Sequence, residues 1–433
     1  MGIFIFITAI IVEITFAAYC IITKSNQQRV RNIIRIIAFI SFVLLSTLSF
    51  IDWSFRYYTL ASLLLILAIF GVVGLLKRKQ DERVYQTGSI IKRTIGLIAL
   101  FFIATLPSII FPQYDAINPT GKYLVETQTY TYIDTKRIET YTNTRENRKL
   151  NVGMWYPKNT NETYPLIVFS HGALGIKTSN ETLYNELASH GYVIASIDHT
   201  FQSLYTTDEN GFTRFVDKSY MKELTNEDAK SNKQQSYELY QKWMKIRTDD
   251  INFVINYLLE QANNNASEQL YKLVDTTKIG VMGHSLGGSA ALGIGRIRKD
   301  VSAVIALESP FMLDIEGVKK NEFVYTGEKY PVPVLNVYSD SSWDHLGDWP
   351  QYAKNYALLT NNDPTAFNVY IRGVGHLTLT DLALTSPFFT RILNGHKSPT
   401  DTEYSLKVIN KVSLEFFDCY LKGEGQFISD GMY

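Results

Sequence analysis

Apolar residues fall into four long, nearly unbroken runs in the first quarter of the chain, at 2–23, 32–51, 57–76 and 94–111. Each is close to the roughly 20 residues that carry a helix across ~30 Å of hydrocarbon. A buried soluble helix is rarely so long and so uniformly apolar, so the pattern predicts an all-α bundle of four transmembrane helices over residues 1–112. A cleavable signal peptide would account for the first run only. No basic stretch precedes that run, and three more runs follow it. Glu13 is a carboxyl inside the first span, either a functional handle or a glutamate that snorkels to the interface. Pro107 is expected to kink or end the fourth helix. Residues 113–122, with Asn118, Pro119 and Gly121 as turn-formers, read as an exit linker.

From residue 123 the pattern changes. Residues 123–133 alternate like a half-exposed strand, and 149–156 read as another. Short continuous apolar runs follow at 166–169, 192–197, 279–282, 301–307, 332–338 and 367–371. Continuous apolarity suits strands buried on both faces of a parallel sheet. Between them, Ile251, Val254, Ile255, Leu258 and Leu259 form an apolar stripe on a helix over 250–261, and 406–421 make a closing helix. Strands alternating with helices predict an α/β domain over 123–433, a mostly parallel sheet covered on both faces. Residues 200–243 are polar and aromatic and fit no such element, so they are expected to form a lid-like insertion.

Composition sharpens this division. The 433 residues carry 42 Lys and Arg against 42 Asp and Glu, which gives no basic field for nucleic acid. Two cysteines, Cys20 and Cys419, exclude a disulfide scaffold and a cysteine metal cluster. The first 112 residues hold 11 Lys and Arg but four Asp and Glu, a net charge of +7, and the remainder carries the balancing −7. Lys24, Arg29, Arg31 and Arg35 follow the first run, and Lys77, Arg78, Lys79, Arg83, Lys92 and Arg93 follow the third. The link between the second and third runs holds only Asp52 and Arg56. The positive-inside rule places the two basic loops in the cytoplasm. The expectation is a multi-pass protein of the cell membrane with its α/β domain outside, and the scarcity of cysteine leans toward a bacterial source.

Chemistry concentrates in Gly283-His284-Ser285-Leu286-Gly287, a G-x-S-x-G pentapeptide between a buried strand and a helical run. On such a turn the serine Oγ projects above the sheet edge. A serine hydroxyl needs a base. In the chain order Ser, acid, His, the choices are His345, His376 and His396. His376 follows the last strand in a glycine-rich loop, whereas His396 reads as a surface loop, so His376 is the expected base. Two carboxylates end strands and could orient it: Glu308 after 301–307 and Asp340 after 332–338. The oxyanion would be held by the amides of Leu286 and Ala173, the latter in Ser170-His171-Gly172-Ala173-Leu174-Gly175. His171 is read as an anchor for that loop.

These residues resemble the platelet-activating factor acetylhydrolase family of α/β-hydrolases, the calcium-independent lipoprotein-associated phospholipase A2 type. The resemblance covers roughly residues 145–422. It rests on Trp155-Tyr156-Pro157, the Ser-His-Gly loop at 170–172, Ala188-Ser189-His190-Gly191-Tyr192-Val193, the pentapeptide, and Asn410-Lys411-Val412-Ser413-Leu414-Glu415-Phe416. It implies a triad acid after the strand that follows the nucleophile, which is Glu308 here where the family usually has aspartate. It also implies release of short or oxidised acyl chains from phospholipids without metal or other cofactor. Similar bacterial sequences resemble cutinase-like and polyester-cleaving esterases.

The expected function is a membrane-anchored serine esterase acting on lipid or phospholipid acyl esters, with the bilayer and a small or lipid ester as its partners. The same residues are compatible with an acyltransferase, or with a membrane sensor that binds a ligand without turnover.

Overall fold

The structure is a computed structural model and describes residues 1–77, 84–264 and 268–433. The chain divides into two compact units, one of Met1–Asp115 with Leu384–Thr390, the other of Ala116–Ala383 with Arg391–Tyr433.

The first unit is a bundle of α1 (Gly2–Ile22), α2 (Gln28–Thr47), α3 (Phe55–Leu76) and α4 (Thr87–Ile110). All four are long and apolar enough to cross a membrane. Helix α1 packs along α4 and α2 along α3. Close approach is set by small residues. A Cβ on Gly71 would lie 2.7 Å from the Asn32 carbonyl, and one on Gly2 2.6 Å from that of Ser108. Phe42, Tyr57, Leu60, Leu64 and Phe101 fill the centre. Phe4, Ile11, Ile69, Phe70 and Ile103 point outward, the reverse of a water-soluble bundle. Helices α2 and α4 start earlier than the apolar runs, because Gln28, Arg29 and Arg31 wind onto the first turn of α2, and Lys92 and Arg93 lie within the first two turns of α4. Helix α4 passes Pro107 and ends three residues later, at Ile110. Glu13 is half-buried, with Arg31 and Arg35 as electrostatic neighbours. Arg78, Lys79 and Arg83 of the second basic loop lie outside the described residues.

The second unit is built on a nine-stranded sheet: β1 (Val125–Ile138), β2 (Asn147–Pro157), β3 (Tyr164–Ser170), β4 (Val193–Asp198), β5 (Val274–His284), β6 (Val301–Leu307), β7 (Val334–Tyr338), β8 (Ala366–Tyr370) and β9 (Gly431–Met432). Their order across the sheet is β1-β2-β4-β3-β5-β6-β7-β8-β9. β2 runs antiparallel to both β1 and β4, and all other pairs are parallel. β3, β4 and β7 are buried along their whole length, which is why they read as continuous apolar runs. Helices α5 (Glu181–Ser189), α6 (Lys233–Asn263), α7 (Leu286–Ile297) and α8 (Thr402–Phe417) connect and cover the strands. The expected α/β-hydrolase architecture, preceded by a helical bundle, is what the chain adopts.

The segment 200–243 departs from its expected irregularity. It holds a hairpin of Tyr205–Thr207 and Thr213–Phe215, a helix Lys218–Asn226 capped by Asp217, and the start of α6. Helix α6 runs 31 residues and buries Tyr240, Trp243 and Met244 upstream of the aliphatic stripe. The polar residues between them hid that buried face from a periodicity reading.

Register then positions the chemistry. Ser170 on β3 pairs with Gly283 on β5, and His284 pairs with Leu307 on β6. The ends of three adjacent strands therefore bring the Ser-His-Gly loop, the pentapeptide and Glu308 to one edge of the sheet.

Candidate active site

Ser285 sits between β5 and α7 at φ 53°, ψ −125°, a left-handed conformation costly for a residue with a Cβ. The surroundings enforce it. Its amide donates to the Leu307 carbonyl at 2.8 Å. A Cβ on Gly283 would press on the Gly287 backbone, and one on Gly287 would collide with the Ser170 carbonyl. The two glycines let the turn close directly on the neighbouring loop. Leu286 opens α7, so its amide points out of a helix N-terminus, where partial positive charge accumulates.

His376 follows β8 and the turn at Gly373, whose φ is 76°. Its Nδ1 lies 3.1 Å from Glu308 Oε2. Its ring lies tilted against that of His284, the residue before Ser285, with centroids 4.5 Å apart. With Nδ1 committed to the carboxylate, Nε2 is the nitrogen available to a nucleophile. The backbone is pinned from two sides. The His376 amide donates to Ser341 Oγ at 2.9 Å, and His284 Nε2 lies 3.1 Å from the His376 carbonyl. Burial, with His376 alongside, pushes the His284 imidazole down to about 3, so it is neutral.

Glu308 is 1% exposed and adopts φ 50°. Ser339 Oγ reaches both its oxygens, at 2.8 and 2.6 Å. Burial alone would raise this carboxyl, but the contacts with His376 and Ser339 outweigh it and hold the group below its ordinary value. Asp340 is engaged elsewhere. It accepts from Tyr370 Oη at 2.7 Å and from the Gly373 amide at 2.9 Å, closing the start of the histidine loop. The structure thus pairs His376 with Glu308 at the sheet edge, sets the His376 ring against that of His284, the residue before Ser285, and places Asp340 in the frame of the loop.

A second support lies beyond His376. Asp381 is buried and its Oδ2 accepts from the Thr182 amide in the first turn of α5 at 2.7 Å. Its own amide donates to the Ser179 carbonyl at 2.9 Å, and Asn180 Nδ2 donates to the Leu379 carbonyl at 2.8 Å. Burial pushes the Asp381 carboxyl up to about 7.

The Ser-His-Gly loop passes close to Ser285. A Cβ on Gly172 would lie 2.8 Å from His284 Nδ1 and 3.3 Å from Ser285 Cβ. Ala173 is exposed, and neither its amide nor that of Leu286 has an acceptor among the described residues. His171 is buried and anchors the loop through Ser203 Oγ at 2.8 Å. His396 is exposed on the surface.

Sequence reading missed Ser339 and Ser341. They surround Asp340 in the sequence, and only the fold shows that the serines, rather than the aspartate, serve the Glu308–His376 pair.

The family model for platelet-activating factor acetylhydrolase, isoform II, matches residues 111–429. The chain is 26% identical over 276 residues to platelet-activating factor acetylhydrolase of Canis lupus familiaris, covering 61% of this chain and 59% of that protein. It therefore spans about three-fifths of the length of such relatives. Cutinase 1 of Thermobifida cellulosilytica is 26% identical over 154 residues, covering 36% of this chain and 42% of that one. Among solved structures, a ferulic acid esterase from Streptomyces cinnamoneus superposes with a TM-score of 0.54 at 20% identity, covering 71% of this chain and 93% of that chain.

Proposed function

Because the chain belongs to the platelet-activating factor acetylhydrolase isoform II family, we propose that it is a serine esterase held at a membrane by its four N-terminal helices. Its substrates in this reading are lipid or phospholipid acyl esters, which a bilayer-tethered enzyme meets at high local concentration. Ser285 Oγ attacks the ester carbonyl while His376 Nε2 takes its proton. Glu308 stays ionised, orients the imidazole through Nδ1 and stabilises the imidazolium. The Leu286 and Ala173 amides receive the negative charge that forms on the carbonyl oxygen. His376 returns the proton to the leaving alcohol, and water then frees the acyl group by the same steps in reverse order. The observation that carries this reading is the His376–Glu308 pair at 3.1 Å, beside a strained serine that has glycines on both sides. The two basic loops between the helices support a domain that lies outside the cell.

The test is labelling by a membrane-impermeant fluorophosphonate on intact and lysed cells, with wild type and Ser285→Ala compared. Wild-type labelling on intact cells, absent in Ser285→Ala, is expected. Labelling only after lysis would overturn the orientation but keep the enzyme. Hydrolysis retained in Ser285→Ala at a tenth of the wild-type rate would sink the nucleophile assignment.

A further inference from the structure

The α/β unit contains a second serine–histidine–aspartate arrangement, behind the first and sealed from solvent. His199, just after β4, has Nε2 2.8 Å from Ser170 Oγ and Nδ1 2.9 Å from Asp250 Oδ2. None of the three has accessible surface. Asp250 is gripped by Arg148 through Nε and Nη2, both at 2.6 Å, and Arg148 Nη1 meets Glu139 at 2.7 Å. Burial opposes a charge on Asp250, but Arg148 overrides it and holds the carboxyl far below its ordinary value. Burial, with Arg247 nearby, pushes His199 down to about 4. The imidazole is therefore neutral, donates to Asp250 and accepts from Ser170. No substrate can reach Ser170, so this set is a brace rather than a second catalytic centre.

What it braces is Arg247, one turn before Asp250 on α6. Arg247 is fully buried, yet no carboxylate among the described residues lies within salt-bridge distance of it. A buried guanidinium met only by neutral acceptors is costly. Its acceptors are the carbonyl of His171, the carbonyl of Gly172 at 3.5 Å, Ser170 Oγ at 3.5 Å and Gln202 Oε1 at 2.8 Å. The Gly172 carbonyl is held further by His171 Nδ1 at 2.6 Å and the Gly175 amide at 3.1 Å. Across a trans peptide the C=O and the following N–H point to opposite sides. Turning the Gly172 carbonyl toward Arg247 therefore turns the Ala173 N–H away from it. The same peptide borders Ser285, since a Cβ on Gly172 would lie 3.3 Å from Ser285 Cβ.

We propose that Arg247, braced by the sealed Ser170–His199–Asp250 set, is a positioning residue for the oxyanion loop. It fixes the Ala173 amide for the transition state and adds an uncompensated positive charge behind it. The guanidinium fork matters, because only two arms can hold successive carbonyls at once. This inference rests on the esterase reading above. It is separable from that reading because it concerns the rate of a step that the reading merely requires to occur.

The experiment uses the full-length protein in detergent with p-nitrophenyl acetate, and compares wild type, Ser285→Ala, Arg247→Met, Arg247→Lys and Ser170→Ala. Melting temperature establishes folding. Arg247→Met should lose on the order of 10²-fold in kcat with KM changed less than about threefold, the pattern of a contact made only in the transition state. Arg247→Lys should fall between wild type and Arg247→Met, since one arm remains. Fluorophosphonate inactivation, which also builds charge on oxygen, should slow in parallel with kcat. A merely structural role would leave that parallel absent. A folded Arg247→Met with kcat within about threefold of wild type overturns the inference. Should Arg247→Met fail to fold, Arg247→Lys and Ser170→Ala decide on the same readouts, with a fall of about tenfold expected and an unchanged kcat overturning it. A wild-type chain that neither hydrolyses the ester nor takes up the probe refutes the esterase reading instead.

Discussion

His376 Nδ1 and Glu308 Oε2 stand 3.1 Å apart although the two residues are 68 positions apart in the chain and come from different strands. Glu308 reaches across β7 from the end of β6, and its left-handed backbone, φ 50°, starts the side chain in that direction. Asp340, at the end of β7 itself, is bound by Tyr370 and Gly373. Glu308→Gln should therefore cost about 10³- to 10⁴-fold in kcat, because the neutral amide no longer stabilises the imidazolium. Glu308→Asp keeps the charge but is shorter by one methylene and should fall between. Asp340→Asn should leave kcat within about threefold. Steady-state kinetics on the three variants decide the order, and a larger loss for Asp340→Asn than for Glu308→Gln would reverse the assignment.

Ser339 gives a pH-dependent stability effect of definite sign. Glu308 has its folded-state carboxyl held below the unfolded value, so its contribution is present above the unfolded value of 4.5 and lost as pH falls through the folded one. Ser339→Ala removes a donor to that carboxylate and shrinks the contribution. The melting-temperature gap between wild type and Ser339→Ala should be largest near neutral pH and narrow below pH 4.5. A gap that widens on acidification would contradict it.

Asp381 behaves in the opposite sense. Its carboxyl is raised by burial from 3.8 to about 7, so the folded state binds the extra proton. Stability from this group is full below pH 3.8 and declines as pH rises through about 7. Asp381→Asn keeps an oxygen for the Thr182 amide and removes the charge. The variant should melt higher than wild type at pH 8, and the gain should disappear toward pH 4. Melting curves across that range test it, and a gain independent of pH would mean that ionisation of Asp381 is not its source.

Much of this was legible in the chain. The four long helices were visible because a helix whose outward face is apolar has no polar stripe to dilute its apolar run. Val301–Leu307 was read with its observed bounds because both faces of that strand are covered. Ser285 and His376 stood out because glycines mark places where the backbone must turn tightly. The rest depends on long-range geometry. Whether Glu308 or Asp340 faces His376 is set by how a loop folds back over two strands, which spacing does not encode. Arg247 falls between the segment read as irregular, 200–243, and the helix read over 250–261, and the acceptors that give it meaning come from β3 and the stretch after β4. Ser339 looked like an ordinary turn residue, and only its contact with Glu308 separates it from any other serine.

The contact between Gly287 and the Ser170 carbonyl has one more consequence. With no side chain between them, the turn that carries Ser285 and the loop that carries Ala173 meet backbone to backbone. Any side chain at position 287 would push the loop that begins at Ser170 away from the turn, so the spacing of Ser285 and Ala173 depends on that glycine.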